Sequence, residues 1–269
     1  MTLETELPQP SLLIERDGPV MILTLNRPDR LNALTQELHS RLYAAVLDAS
    51  EDKTIGAIVL TGAGRAFCSG GDMAGHRQAD IRPTLEDRAD ELRHHAQTTR
   101  LLHVMPKPSI AMINGVAAGA GLALALACDL RVASRSAVLT TSYVKVALSG
   151  DLGVSYFLTQ LVGGAKAREL LFLGDKIGAD DAQRIGLVNR VEEADALAAS
   201  TRDLARRLAD GPRVAIRYMK RNLACAESAT LDEVLETEAY GMARCGRTQD
   251  VKEAATAFRE KRAPAFKGF

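Results

Sequence analysis

Over the first two thirds of the chain, short apolar runs of strand length alternate with stretches whose apolar residues recur every three to four positions; the last third keeps only the second pattern. Residues 12–15 and 20–26, joined through Asp17-Gly18, read as a hairpin. Thr35 is placed to cap a helix with Leu38, Leu42, Val46 and Leu47 on its apolar face. Residues 57–61 and 110–113 read as buried strands, with shorter ones predicted at 130–133, 138–141 and 187–191. A helix is predicted from Thr84 to about Val104, ended by Pro106 and Pro108. Further helices are predicted at 153–162, 164–173 and 179–185, then at 194–210, 212–224, 231–244 and 248–261 with no strand between them. The shift to a purely helical pattern puts a soft boundary near 195–210, and the repeated strand–loop–helix units predict a layered α/β core.

Two of the strand-to-helix turns are rich in glycine. One runs from Gly62 to Asp72; the other, from Asn114 to Gly121, leads into an Ala/Leu-rich helix with no polar side chain before Asp129. Gly119 and Gly121 let a ligand approach the backbone, and the first N–H groups of the helix carry the positive end of its dipole. Such a turn suits a bound anion or an oxyanion that forms during a reaction. The same small residues would also allow tight strand–helix packing, and this stretch alone is compatible with either use. If the two strands are neighbours, Ser69-Gly70-Gly71-Asp72 and Gly119-Ala120-Gly121 can present N–H groups to one ligand oxygen. A dinucleotide fingerprint fits poorly, because Leu124 stands where its third small residue belongs, and no Walker-type Gly-Lys-Ser/Thr occurs.

Composition narrows the class. Lys+Arg and Asp+Glu both number 34, which argues against a broad nucleic-acid or anionic-membrane surface. Cys68, Cys128, Cys225 and Cys245 show neither metal-ligand nor disulfide spacing, so a reducing cytoplasm is the expected setting. No apolar run reaches membrane-spanning length. Residues 1–11 are acidic and proline-containing, without the pattern of a signal or transit peptide, and are expected to form a loose tail.

Several segments, in order, resemble the enoyl-CoA hydratase/isomerase (crotonase) family: Asn26-Arg-Pro with Asn32-Ala-Leu; Ile58-Val-Leu-Thr-Gly with Ala66-Phe-Cys-Ser-Gly-Gly-Asp72; Lys107-Pro; and Asn114-Gly-Val-Ala-Ala-Gly-Ala-Gly. Cys128-Asp129, Leu161-Val-Gly163, Ala182 with Gly186-Leu-Val188, and the tail Arg262-Ala-Pro-Ala-Phe-Lys267 extend the resemblance over residues 12–269. It implies an α/β fold: a spiral of ββα turns over 12–200, then a helical region over 201–269 that builds a trimer, often a dimer of trimers. It implies an acyl-CoA thioester as substrate and partner, with coenzyme A arriving on the substrate rather than as a cofactor; the composition and spacing read above add the expectation of no metal, nucleic acid or membrane. By the same resemblance the thioester carbonyl lies between the backbone N–H groups of Ser69 and Ala120. Arg27, Ala66, Ser69, Gly70, Gly71, Asp72, Gly119, Phe266 and Lys267 match positions that surround the substrate and its CoA. Taking a proton from beside a thioester makes an enolate, and donors fixed at its oxygen stabilise the transition state more than the ground state.

Three positions depart from the hydratase pattern or bear on the choice of reaction. Hydratases of the family carry two glutamates around one water; Ala123 and Tyr143 stand at their positions here, and neither is a carboxylate base. Asp151, in Leu148-Ser-Gly-Asp-Leu-Gly153, matches the catalytic aspartate of the family's isomerases. It would move a proton between carbons, which is double-bond isomerisation. Read from the residues alone it could be a helix cap, and some relatives use an aspartate there as a nucleophile. Tyr143 would then be a pocket wall or a hydrogen-bond donor. A non-catalytic relative that binds CoA or RNA is the reading from a different class; the zero net charge counts against RNA and the paired loops against loss of CoA chemistry. Cys68 as a nucleophile and His76, His94, His95 and His103 as site residues are weaker candidates, the histidines being read as surface positions and Asp72 as a loop brace.

Overall fold

A computed structural model gives the structure, and it describes residues 9–72 and 84–268. The N-terminal hairpin forms as expected from β1 (Leu12–Asp17) and β2 (Val20–Leu25), paired antiparallel. α1 (Gln36–Glu51) begins behind Thr35, whose hydroxyl accepts the Leu38 N–H at 3.2 Å. The chain then uses one unit three times. β3 (Ala57–Gly62) and β4 (Ala66–Cys68) precede α2 (Leu85–Val104). β5 (Ser109–Ile113) and β6 (Val116–Ala118) precede α3 (Ala120–Ala127). β7 (Leu130–Ser134) and β8 (Val138–Thr140) precede a 3-10 turn at Tyr143–Val146 and α4 (Val154–Leu173). β9 (Ile177–Gly178), α5 (Ala179–Arg184) and β10 (Arg190–Glu192) complete the α/β part.

In each unit the first strand enters a six-stranded sheet, ordered β1-β2-β3-β5-β7-β10, and the second enters a four-stranded sheet, β4-β6-β8-β9. The chain therefore winds between two sheets, the spiral that the family resemblance implied. Periodicity alone had folded residues 116–118 into a glycine turn. β4 and β6 are three residues long, too short to show an alternation, and only their pairing with each other and with β8 makes them strands.

The large sheet buries both faces, as parallel sheets do. Met21, Leu23 and Leu25 of β2 and Ile58 and Leu60 of β3 point to the main core with α1 and α3. Val20, Ile22, Ala57 and Val59, the alternate positions, point to the other face, where Leu197, Leu204, Ala205 and Ala209 of α6 (Leu197–Ala209) cover them. The helices expected at 153–162 and 164–173 meet at Gly163, whose φ of 74° and ψ of 161° break the helical path. α7 (Arg213–Ala226), α8 (Leu231–Cys245) and α9 (Gln249–Glu260) follow. One buried cation fastens α7 to the core: Lys220 Nζ donates to the carbonyls of Leu102 (2.6 Å) and Lys107 (2.9 Å) and to Asp129 Oδ2 (2.7 Å). Asp129 also accepts the Ser109 N–H and hydroxyl, so this one carboxylate ties β5, the α3–β7 turn and α7 together. Among the described residues no helix is long and apolar enough to cross a membrane.

Candidate functional site

β4 and β6 are parallel neighbours, so the glycine turns that follow them lie side by side. At Gly119 φ is 52° and ψ −125°, a backbone that side chains resist, and it sets the start of α3. At Gly121 a Cβ would fall onto the Cys68 carbonyl and side chain, so only glycine lets the two turns touch. Gly119 N–H donates to the Thr140 carbonyl at 3.1 Å. The next N–H, that of Ala120 at the first position of α3, has no helical acceptor.

The opposing donor is not the expected one. Ser69 N–H donates to the Leu31 carbonyl at 3.0 Å and is spent inside the fold. Leu31 and Asn32 both adopt left-handed φ (50° and 57°), in a turn that aims the Leu31 carbonyl at the loop. The buried Asn32 amide then donates to the carbonyls of Ala63, Ala66 and Phe67 and fixes β4. Beyond Ser69, Leu34 N–H donates to Gly70 O (2.8 Å) and Asp72 N–H to Leu34 O (3.0 Å). These bonds engage one edge of the loop, and by the alternation of a bridged strand they turn the Gly71 N–H to the other. Among the described residues no acceptor takes it. A methyl group on Gly70 would stand 3.5 Å from Ala120 N, so the loops are in contact. Among the described residues the N–H groups of Gly71 and Ala120, rather than those of Ser69 and Ala120, are the ones left without an acceptor in these two turns.

Beside them lies the carboxylate. Tyr143 Oη donates to Asp151 Oδ1 at 2.6 Å. Tyr143 is buried, and its burial, reinforced by the charge of Asp151, pushes the phenol well above its usual range, so it remains a protonated donor. The ring reaches the start of α3: a Cβ on Gly119 would be 4.0 Å from Tyr143 Cε1. Asp151 does not cap α4; Gly153 holds that position, with φ 81° and no side-chain bond. Ser142, Ala147 and Leu152 all have positive φ and bracket the pair, a concentration of backbone strain typical of functional loops. Ala123, on α3, is fully buried and offers only a methyl group.

The remaining candidates divide. Arg27 and Asp72 brace each other at 2.9 Å, next to Gly71, which is the loop-fixing role expected of Asp72. Ala66 is buried in β4. Phe266 and Lys267 lie elsewhere in this chain: Lys267 N–H donates to Asp250 Oδ1 on α9 at 2.7 Å, and Gly268 lies against Arg213. Cys68 is fully buried, its thiol pushed up to about 12 by desolvation, and Sγ donates to the Asn32 carbonyl, so it is no nucleophile. His76 falls outside the described residues. His94 meets the Tyr43 ring, and His103 pairs with Glu227 at 2.9 Å. His95, read as a surface position, is buried and stacks on His39, a residue that the sequence reading passed over; its place among the apolar positions of α1 was the available signal. No group of residues able to hold a metal ion occurs among the described residues.

With this geometry in view, the likenesses to known proteins are direct. Residues 15–268 match the family described as Enoyl-CoA hydratase/isomerase. The chain is 37% identical over 249 residues to the 1,2-epoxyphenylacetyl-CoA isomerase of Escherichia coli K12, covering 93% of this chain and 95% of that protein. It is 32% identical to the short-chain-enoyl-CoA hydratase of Clostridium acetobutylicum, covering 94% and 95%. Among solved structures, an enoyl-CoA hydratase from Bacillus anthracis superposes with a TM-score of 0.91 at 29% identity, over 97% of this chain and 100% of that one. One from Polaromonas sp. JS666 gives 0.89 at 34%, over 95% and 99%. The chain, with its two-sheet spiral and its paired glycine turns, belongs to the enoyl-CoA hydratase/isomerase, or crotonase, family.

Proposed function

We propose that this enzyme isomerises the double bond of an acyl-CoA by moving one proton with one carboxylate, Asp151. The observation that carries the reading is the bond from Tyr143 Oη to Asp151 Oδ1, next to the free N–H groups of Gly71 and Ala120. In this reading the thioester oxygen accepts both N–H groups, and negative charge collects on it when Asp151 takes a proton from the acyl chain. Tyr143 holds Oδ1, which leaves Oδ2 to take the proton and return it to a different carbon of the same enolate. No cofactor is needed beyond the CoA on the substrate.

Hydration by the family's two-glutamate route needs a second carboxylate at the water, and Ala123 and Tyr143 occupy the matching positions. The Escherichia coli relative is named as an isomerase of an epoxide, 1,2-epoxyphenylacetyl-CoA, which is in keeping with isomerisation but not with one particular bond, and relatives named as hydratases make water addition the alternative outcome. The assembly proposed with this function is a trimer or a dimer of trimers built through α7–α9, and the proposed location is the cytoplasm.

The test is turnover of 3-enoyl-, 2-enoyl- and aryl-CoA substrates by the wild type and by Asp151→Asn. Isomerisation of the 3-enoyl substrate should dominate and fall by roughly 10²-fold or more in the variant, with acyl-CoA binding retained. Near-wild-type isomerisation by Asp151→Asn would end the proposal. Wild-type product carrying one Asp151 carboxylate oxygen after a single turnover in labelled water would replace it with a nucleophilic mechanism.

A further inference from the structure

We propose that His39 and His95 form a proton-operated latch between α1 and α2: closed while both rings are neutral, opened by protonation, and coupled to the loop that carries Gly71. The proposal goes beyond the isomerase reading and holds for any acyl-CoA reaction at this site.

The two rings lie face to face, centroids 3.9 Å apart and planes within 3°. Each residue is only 8% exposed. Neutral rings tolerate this arrangement, although offset or edge-on contacts are the commoner choice. Two imidazolium rings do not, since like charges at that spacing in a poorly solvated interface repel strongly. A proton on His39 is also badly placed on its own account. Its Nδ1 is buried and has no hydrogen-bond partner among the described residues, so a new N–H there would face no acceptor among them. The Thr98 hydroxyl, three residues along α2 from His95, likewise has no partner among the described residues, which marks this part of the helix as incompletely satisfied.

The charged and titratable neighbours divide the pair. Among the described residues, those facing His39 are His95, Arg88 and His94, all from α2, and none of these is a carboxylate. Those facing His95 are Glu91, Arg88 and His94 from its own helix and Asp151 from the loop before α4. The first proton therefore goes to His95, and His39 resists the second. Burial, then the His95, Arg88 and His94 charges, hold His39 down to about 3, and burial lowers His95 as well.

The latch has a short route to the site. His39 N–H donates to the Thr35 carbonyl at the start of α1. Thr35 follows Leu34, whose N–H and C=O grip Gly70 and Asp72 on either side of Gly71. Pushing α1 away from α2 at His39 pulls on that grip, and with it on the Gly71 N–H.

The test reads structure rather than turnover, because loss of activity in acid would equally follow from protonation of Asp151. Amide hydrogen exchange, corrected for the intrinsic pH dependence, is followed at about pH 8 and about pH 4.5 in the wild type and in the double variant His39→Phe, His95→Phe, which keeps stacked rings without titration. In the wild type, exchange in the first half of α1 and across 69–72 should rise roughly 10-fold or more in acid, and reverse on return to neutral pH. In the double variant that rise should be absent. No acid rise in the wild type, or the same rise in both proteins, overturns the latch. Should the double variant not fold, proton NMR of the histidine rings in the wild type decides: one ring titrating well below 6.5 while the other shifts with it supports the pair, and two independent titrations near 6.5 overturn it. Neither readout depends on Asp151 being the base, so the latch and the isomerase reading fail separately.

Discussion

Ser69 and Gly71 stand two residues apart in one loop, and the fold uses their N–H groups in opposite ways: the first is bonded to Leu31, the second left free beside Ala120. Substitutions separate these roles. Gly71→Pro removes the free donor and should lower kcat/KM by roughly 10²–10³-fold in a protein that still folds. Gly71→Ala keeps the N–H, and its methyl group would meet nothing within 4 Å among the described residues, so steady-state rates should stay close to wild type. Ser69→Ala, which also keeps its N–H, should be similarly mild; a large loss there would mean that the Ser69 hydroxyl takes part. Tyr143→Phe preserves the packed ring and removes the bond to Asp151. It should reduce kcat about 10-fold with little change in KM, the pattern of a lost charge-assisted bond that orients the reacting group. Much of this candidate site was legible in the sequence, because the order of the family's motifs singles out Ala120, Tyr143 and Asp151. Which N–H of the first loop is free was not. That depends on where the Leu31 carbonyl points, a consequence of two left-handed residues that no pattern of apolar positions encodes.

At the scale of elements, long periodic segments such as α1, α2 and α6 announced themselves, whereas β4, β6 and β9 did not, since two or three residues carry no period and become strands only by pairing. The histidines of the α1–α2 contact escaped for a related reason: a polar residue on a helix is read as exposed until its partner helix is known. Their burial has a consequence for stability with a defined sign. The folded-state pKa of His39 lies at about 3, below the unfolded value of 6.5, so the unfolded chain binds the proton more readily. The stabilisation from a neutral His39 is complete above pH 6.5 and is lost progressively as pH falls toward 3. The urea midpoint should therefore drop between neutral and mildly acidic pH, and the drop should be smaller in His39→Phe. Lys220 makes a second prediction at this scale. Lys220→Met leaves two backbone carbonyls and the Asp129 charge without their cation in a largely buried place. Losing one partner of such a pair costs about 3–5 kcal/mol, which equilibrium urea unfolding would read directly. An unchanged midpoint would show that α7 is held by its apolar contacts instead.

The whole molecule leaves one region unbalanced. Across the described residues of α7, α8 and α9, only Lys220, Gly241, Asp250 and Ala257 are buried, and none of them is a large apolar side chain. Leu223, Leu231, Met242 and Phe258 are each at least 70% exposed. A second apolar patch lies on the loop that carries Tyr143, where Val144, Val146 and Leu148 face outward, with Phe172 and Leu173 also exposed at the end of α4. Apolar surface on this scale marks an interface. The proposed trimer supplies its partner as further copies of this chain. Light scattering at micromolar concentration should accordingly give three or six times the 28.9 kDa of one chain. A mass of one chain would overturn the assembly. Leu223→Glu with Leu231→Glu places charges in the middle of the apolar faces without touching Tyr143 or Asp151, and should shift the mass toward the monomer. If neighbouring copies also cover the outer face of the Tyr143 loop, the same double variant should lose turnover as it dissociates, and regain it at protein concentrations high enough to restore the oligomer. Turnover per chain that stays constant across dissociation would show that each copy orders its own Tyr143–Asp151 pair, and that assembly serves stability alone.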